Sequence, residues 1–235
     1  MRDANVTPCL VVVAKQPERG KVKTRIALAV GDDRAVEMYR CALFDTLALA
    51  MSITDVAHFV TYAPATDDAR DYFEQVAPAF ELIPQQGATL GERLGGVFAH
   101  LLQRYSPVVS VGSDSPDLPA AFLTQAVEIL RGKADVVLGP ADDGGYYLLG
   151  MQTMQPTLFE SIHWSTEVVA EQTRQRAADA RLQLVELPPW HDLDTVDDLQ
   201  ALVAPGAPLL RAFIAECTRK VGCNEDTSSS RMESR

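Results

Sequence analysis

The sequence predicts a three-layer α/β/α sandwich on a mostly parallel sheet of seven strands, one of them antiparallel. Three observations carry that expectation. Short runs rich in Val and Leu recur along the chain and read as buried strands. Most are separated by stretches with apolar residues at helical spacing, the signature of βαβ units with helices on both sheet faces. One pair of runs, 135–138 and 146–150, has a link too short for a parallel crossover, so one strand must run backwards.

The elements follow in order. Residues 8–14 (PCLVVVA) form the first strand, and 15–23 a polar loop bearing Pro17 and Gly20. A helix is expected over 31–52, on the spacing of Val36, Tyr39, Leu43, Leu47 and Ala50, with Asp32 or Asp33 as its cap. Strands follow at 56–62 and 80–83, a helix at 90–104, and a fourth strand at 107–112. The helix over 119–131 carries Pro at its start, where a missing N–H costs nothing. After the two strands of the short link come a helix at 165–180, a strand at 182–187 and a capped helix at 195–203. From Cys217 the chain turns polar and Ser-rich. We therefore expect one domain over residues 1–216 and a disordered tail over 217–235.

Composition narrows the partners. Lys and Arg total 21 against 32 Asp and Glu, a formal charge of −11. Such a surface repels nucleic-acid backbones and anionic lipid. Any phosphate site must be locally basic or carry a metal. The four cysteines, Cys9, Cys41, Cys217 and Cys223, make no disulfide framework and suit a reducing cytoplasm. The apolar run at 10–14 is too short for a signal peptide or a membrane span.

Ligands of open α/β sheets bind beyond the carboxyl ends of the strands, and four such ends are polar here. The first is 14–25 (AKQPERGKVKTR), from Ala14 to Arg25. Lys15, Arg19, Lys21, Lys23 and Arg25 make five basic residues in eleven positions. With Gly20 in the loop and a helix to follow, the segment is either an anion cradle or a solvated basic loop. It is not a P-loop, because Lys15 and Val22 stand where Gly and Ser or Thr are required.

The second end, 112–118 (GSDSPDL), offers Asp114 as a hard-cation ligand or a turn former, and Asp117 as a cap for the next helix. At the third (DDGGYY), Asp143, Gly144 and Gly145 form a hairpin turn that also permits close ligand approach; Asp143 is either a turn former or an acceptor-side carboxylate. The fourth (WHDLDTVDDL) holds a Thr195–Asp198 capping box. Asp194 there either precedes the box or is a second metal carboxylate, with His191 as its neighbour or as a structural hydrogen-bonder.

These stretches resemble a known family. The matching motifs are AKQPERGKVKTRIA, LGERLGGVF, VGSDSPDL, VLGPADDGGYYLLG, HWSTE and HDLDTVDDL, in that order. They are similar to the bacterial glycosyltransferases associated with arsenosugar biosynthesis and radical-SAM gene neighbourhoods. Those belong to the nucleotide-diphospho-sugar transferase superfamily with the GT-A fold, and are distantly like 2-phospho-L-lactate guanylyltransferase. The resemblance implies a nucleotide over Gly20, Lys23, Thr24 and Arg25, with Gly91 and Glu92 near its base or ribose. It implies Mg²⁺ or Mn²⁺ on Asp114 and Asp194, and an acceptor side formed by Asp143, Gly144, Gly145 and Trp164. The expected partners are a nucleotide sugar, or a nucleoside triphosphate, and a small acceptor. Glycosyl transfer is the first expectation, nucleotidylyl transfer the alternative, and a non-catalytic nucleotide-binding module the third.

Overall fold

Strand β1 (Cys9–Lys15) lies near the middle of the sheet and alternates across it. Leu10, Val12 and Ala14 enter one core layer, and Cys9 and Val11 the other. A strand buried on both faces must be apolar at every position, which explains the unbroken CLVVVA run. The computed structural model describes residues 6–202 and 205–229.

After β1 come α1 (Thr24–Val30), α2 (Asp32–Met51), β2 (Ala57–Ala63), α3 (Asp67–Val76), β3 (Glu81–Pro84), α4 (Leu90–Leu101) and β4 (Val108–Gly112). Then follow α5 (Ala120–Arg131), β5 (Val136–Pro140), β6 (Tyr146–Met151), α6 (Val169–Asp179), β7 (Leu184–Glu186) and α7 (Pro208–Ser229). The sheet order is β3-β2-β1-β4-β6-β5-β7. Strand β6 runs antiparallel to both β4 and β5, and the other pairings are parallel. The expected fold class is the observed one.

The order places the site. From β1 the chain steps outward to β2 and β3, then returns to lay β4 on β1's other side. The loops leaving β1 and β4 therefore part from each other, and a crevice opens between them.

Some elements differ from the expectation. Helices α1 and α3 were not anticipated. Thr66 caps α3, accepting from the Ala69 N–H at 3.3 Å, and Ala69 and Phe73 form its buried side. The cap of α2 is Gly31 rather than Asp32 or Asp33, because its φ of 85° joins α1 to α2 in a conformation that favours glycine. The two aspartates occupy the first turn, where they suit the helix dipole. Asp117 does not cap α5. Pro119 stands at that cap without a side-chain bond, and Asp117 faces the 190–194 segment instead. The late helix is a single 3₁₀ turn, Asp197–Gln200. Helix α7 runs through the start of the expected tail to Ser229, and residues 230–235 lie outside the described residues. Asp45 of α2 anchors α7 by accepting from the N–H groups of Leu209 and Leu210, at 3.1 and 2.9 Å.

Candidate active site

A cavity of about 980 Å³ opens over the carboxyl ends of β1 and β4. Arg25, Asp114, Asp143, Gly145, Trp164 and Asp194, six of the residues singled out from the sequence, line it. Ala14, Lys15, Gly20, Lys23, Thr24, Gly91, Glu92 and Gly144 lie outside that lining, and Gly91 and Glu92 line a neighbouring pocket on the other side of Trp164.

Lys23 is the hub of one wall. It has a left-handed backbone (φ 46, ψ 44) at the start of α1, a conformation costing a non-glycine residue about 1 kcal/mol or more. Its side chain is only 4% exposed. The ammonium pairs with Asp114, donates to the Leu193 carbonyl, and lies 3.6 Å from Asp194 Oδ1. Two carboxylates from distant parts of the chain thus converge on one cation. Arg25 Nη1 stands 3.5 Å from Asp194 Oδ2 with its side chain largely in solvent.

Backbone bonds hold the wall in register. The Leu193 N–H donates to the Asp114 carbonyl at 2.8 Å, tying the two segments together. The Asp198 carboxylate accepts from the N–H groups of Asp194 and Thr195 and from the Thr195 hydroxyl. The capping box thereby serves Asp194 as well as the 3₁₀ turn.

Asp192, which the sequence reading missed, lines the same cavity and accepts from the Ser115 hydroxyl at 2.7 Å. Burial, with Asp114 and Asp143 nearby, pushes its carboxyl up to about 7, against the pull of Ser115 and Lys23. A signal existed: Leu193 is 1% exposed, and period-two alternation places Asp192 and Asp194 on the opposite side of an extended segment.

His191 does not join the cavity. Its Nε2 is 3.0 Å from Asp117 Oδ2, and the Trp190 indole donates to Asp117 Oδ1 at 3.3 Å. Asp117 and His191 fasten the 190–194 segment from behind.

The other wall is built by close approach. Gly144 has φ 87, and a Cβ there would stand 2.0 Å from the Glu167 carbonyl oxygen. Its own carbonyl accepts from the Ala170 N–H at 2.9 Å, pinning the start of α6. Asp143 Oδ1 accepts from the Gly145 N–H at 2.7 Å, so Asp143 does shape the turn. A Cβ on Gly91 would lie 2.3 Å from Trp164 Nε1, so the missing side chain seats the indole. Tyr146 packs edge-on against it, with ring centroids 6.4 Å apart. Thr89 caps α4 by accepting from the Glu92 N–H at 3.2 Å, and the Glu92 carboxylate reaches back to accept from the Ala88 N–H at 2.7 Å.

Among the described residues no group of three His, Cys, Asp or Glu side chains is arranged to hold a metal ion. No helix among them is long and apolar enough to cross a membrane.

A seven-stranded sheet with this order, opened by a carboxylate-lined crevice, has the architecture of a nucleotide-diphospho-sugar transferase-like fold. Residues 46–166 match the family described as an uncharacterized protein conserved in bacteria (DUF2064), and the chain belongs to that family. It is 34% identical to a Desulfovibrio desulfuricans G20 protein assigned as a nucleotide-diphospho-sugar transferase, with a TM-score of 0.81 over 89% of this chain and 97% of that one. Rv0371c of Mycobacterium tuberculosis H37Rv, in complex with manganese, is 15% identical with a TM-score of 0.53, over 85% of this chain and all of that one. A cytidylyltransferase of Leptospira borgpetersenii is 13% identical with a TM-score of 0.51, over 92% of this chain and 96% of that one. At those identities the likeness is one of fold. No curated protein matches the chain.

Proposed function

We propose that the protein transfers a group from a nucleotide-activated donor, and that this donor is a nucleotide diphosphate sugar whose sugar passes to a small acceptor. The observation that carries this is the convergence of Asp114 and Asp194 on one cation beside the cavity. The assignment of the 34%-identical relative supports the same chemistry. Motif order supports the narrower kinship with the arsenosugar-associated glycosyltransferases. The lack of a disulfide framework supports a cytoplasmic location.

Two hard oxygen donors meeting at one point suit Mg²⁺ or Mn²⁺, which complete their shells with phosphate oxygens and water. The donor set therefore fits, with Asp114 and Asp194 as the holding residues. A divalent cation there supplies neutralising charge for the departing nucleoside diphosphate. Arg25, largely in solvent beside Asp194, adds fixed positive charge to the same oxygens, and Lys23 holds the two carboxylates together when no ion is bound. On this reading the nucleoside lies between the Gly20–Arg25 loop and the first turn of α4, and the family resemblance supports Gly91 and Glu92 as its neighbours. On the far side, Asp143 keeps Oδ2 for an acceptor hydroxyl while Oδ1 shapes the turn, which suits a general base.

The test is a thermal-shift panel of UDP-glucose, GDP-mannose, CTP and GTP with Mn²⁺, followed by turnover on small hydroxylated acceptors. Sugar nucleotides should raise Tm, since a ligand of the folded state alone stabilises it. Turnover should release nucleoside diphosphate. Arg25→Ala should weaken nucleoside diphosphate binding by about 2 kcal/mol, the scale of a charge-assisted hydrogen bond, with the fold intact. Pyrophosphate release from a triphosphate would replace sugar transfer by nucleotidylyl transfer. Tight binding without turnover would leave a nucleotide-binding module.

A further inference from the structure

The HWSTE segment lines the cavity on the wall that faces Asp114 and Asp194, and of its side chains only the tryptophan has been given a role. His163 lies beside that tryptophan and lines the cavity too. Ser161 and Ser165 flank the pair with φ of 54 and 63, left-handed conformations that are costly outside glycine. Strain of this kind persists where the surroundings impose it, and it gathers at binding sites.

One side chain fixes the His163 ring. The Gln172 amide, on α6, reaches His163 twice: Oε1 is 2.7 Å from the backbone nitrogen, and Nε2 is 2.7 Å from Nδ1. A backbone N–H can only donate, so the amide atom facing it must be the oxygen. The atom facing Nδ1 is then the NH₂ group, which also only donates. Nδ1 must therefore accept, and the proton of the neutral ring resides on Nε2. Among the described residues none takes Nε2.

We infer that His163 is a hydrogen-bond donor to the sugar of the nucleotide sugar, held in that tautomer by Gln172. The chemistry of the cavity calls for such a donor. Asp114, Asp143, Asp192 and Asp194 present acceptors, which suit the O–H groups of a polyhydroxylated ligand; its oxygen lone pairs need donors, and with Arg25 given to the phosphates an N–H on the sugar side supplies one. The Nε2–H meets one of them from the opposite wall. In this tautomer His163 donates from the ring edge available to a ligand, so it positions the sugar and does not take the acceptor's proton. The contact to sugar rests on the donor chemistry proposed above; the Gln172 clamp does not.

Nitrogen-15 spectra of the imidazole side chains, at about pH 8 where imidazoles are neutral, read the tautomer directly, with His163→Phe assigning the signal. The wild-type ring should carry its proton on Nε2, and Gln172→Glu, which can only accept, should move it to Nδ1. Binding is then compared for UDP against UDP-glucose and GDP against GDP-mannose, each with Mn²⁺. His163→Phe should bind the sugar nucleotide about tenfold more weakly, the scale of one hydrogen bond, with the nucleoside diphosphate unchanged. His163→Gln, which keeps an N–H donor, should recover part of the loss. A wild-type proton on Nδ1 overturns the clamp, and undiminished sugar-nucleotide binding by His163→Phe overturns the contact. A wild-type protein that binds none of the four probes fails the donor assignment, and the contact falls with it, while the spectra still decide the clamp.

Discussion

The two walls of the cavity are held by different forces. The wall after β1 and β4 is a polar lattice in which Asp114, Asp194 and the Leu193 carbonyl surround the Lys23 ammonium, braced by Asp198 and Ser115. The opposite wall is a steric fit in which two glycines admit a backbone carbonyl and an indole. A lattice of charges tolerates substitution as a fold but changes what it binds. A steric fit has no room to spare, so substitution there acts first on stability.

That contrast can be broken most directly at Gly144. Alanine there meets the Glu167 carbonyl and must also adopt a positive φ. Gly144→Ala should cost about 3 kcal/mol, adding backbone strain to overpacking. A urea titration showing less than about 1 kcal/mol would mean that the 161–169 segment yields freely.

Lys23 sharpens the other side. Removing its ammonium leaves the two carboxylates facing each other with only the exposed Arg25 guanidinium beside Asp194, which raises their mutual repulsion. Both are partly exposed, so solvent screens much of the penalty. Lys23→Met in chelator should therefore lose only about 1 kcal/mol. Mn²⁺ alone should then raise Tm more in the variant than in the wild type, because the ion no longer competes with the lysine. Equal Mn²⁺ response in both proteins would separate the lysine from the metal position. The same geometry predicts that Asp114→Asn lowers apo stability slightly, since Lys23 loses a partner.

An effect of similar size, confined to neutral pH, is expected at Asp198. Burial favours raising its carboxyl, but bonds from Thr195 and Asp194 outweigh that and hold it below the ordinary carboxylate value. The unfolded chain then takes the proton more readily. Its contribution is present above about pH 4 and is lost as pH falls through the lower folded value. Asp198→Ala should cost about 1 kcal/mol at neutral pH, as a lost cap does, and little in strong acid. A pH-independent difference in denaturant midpoint would mean that the bonds do not depend on the charge.

The polar wall was more legible in sequence than the steric one. Asp114 stands just past β4, where a carboxylate after an apolar run is conspicuous, and Arg25 and Asp194 lie in the polar segments that follow β1 and β7. The Lys23 ammonium between the two aspartates was not foreseen, because its inward turn depends on a left-handed backbone with no glycine to announce it. Asp117 and His191 attracted attention as a cap and a ligand, yet they bond to each other. Local spacing cannot reveal a partner 74 residues away. Helix α3 was passed over although Thr66, Ala69 and Phe73 carried a signal for it, whereas the seven-residue α1 is too short for periodicity to separate from a loop. The Gln172 clamp on His163 had no sequence signal, since it joins an exposed loop to the flank of a helix.

Strand β6 has one further consequence. Because it runs against its neighbours, it begins at the rim where they end, and a single tight turn, residues 141–145, delivers the end of β5 and the start of β6 to the cavity together. Lengthening or shortening that turn would resize that side of the cavity while every strand kept its register. Descendants of this chain can thus diverge in what the cavity admits by insertion and deletion at one hairpin, while the Lys23 wall, spread over three separate segments, is inherited nearly whole.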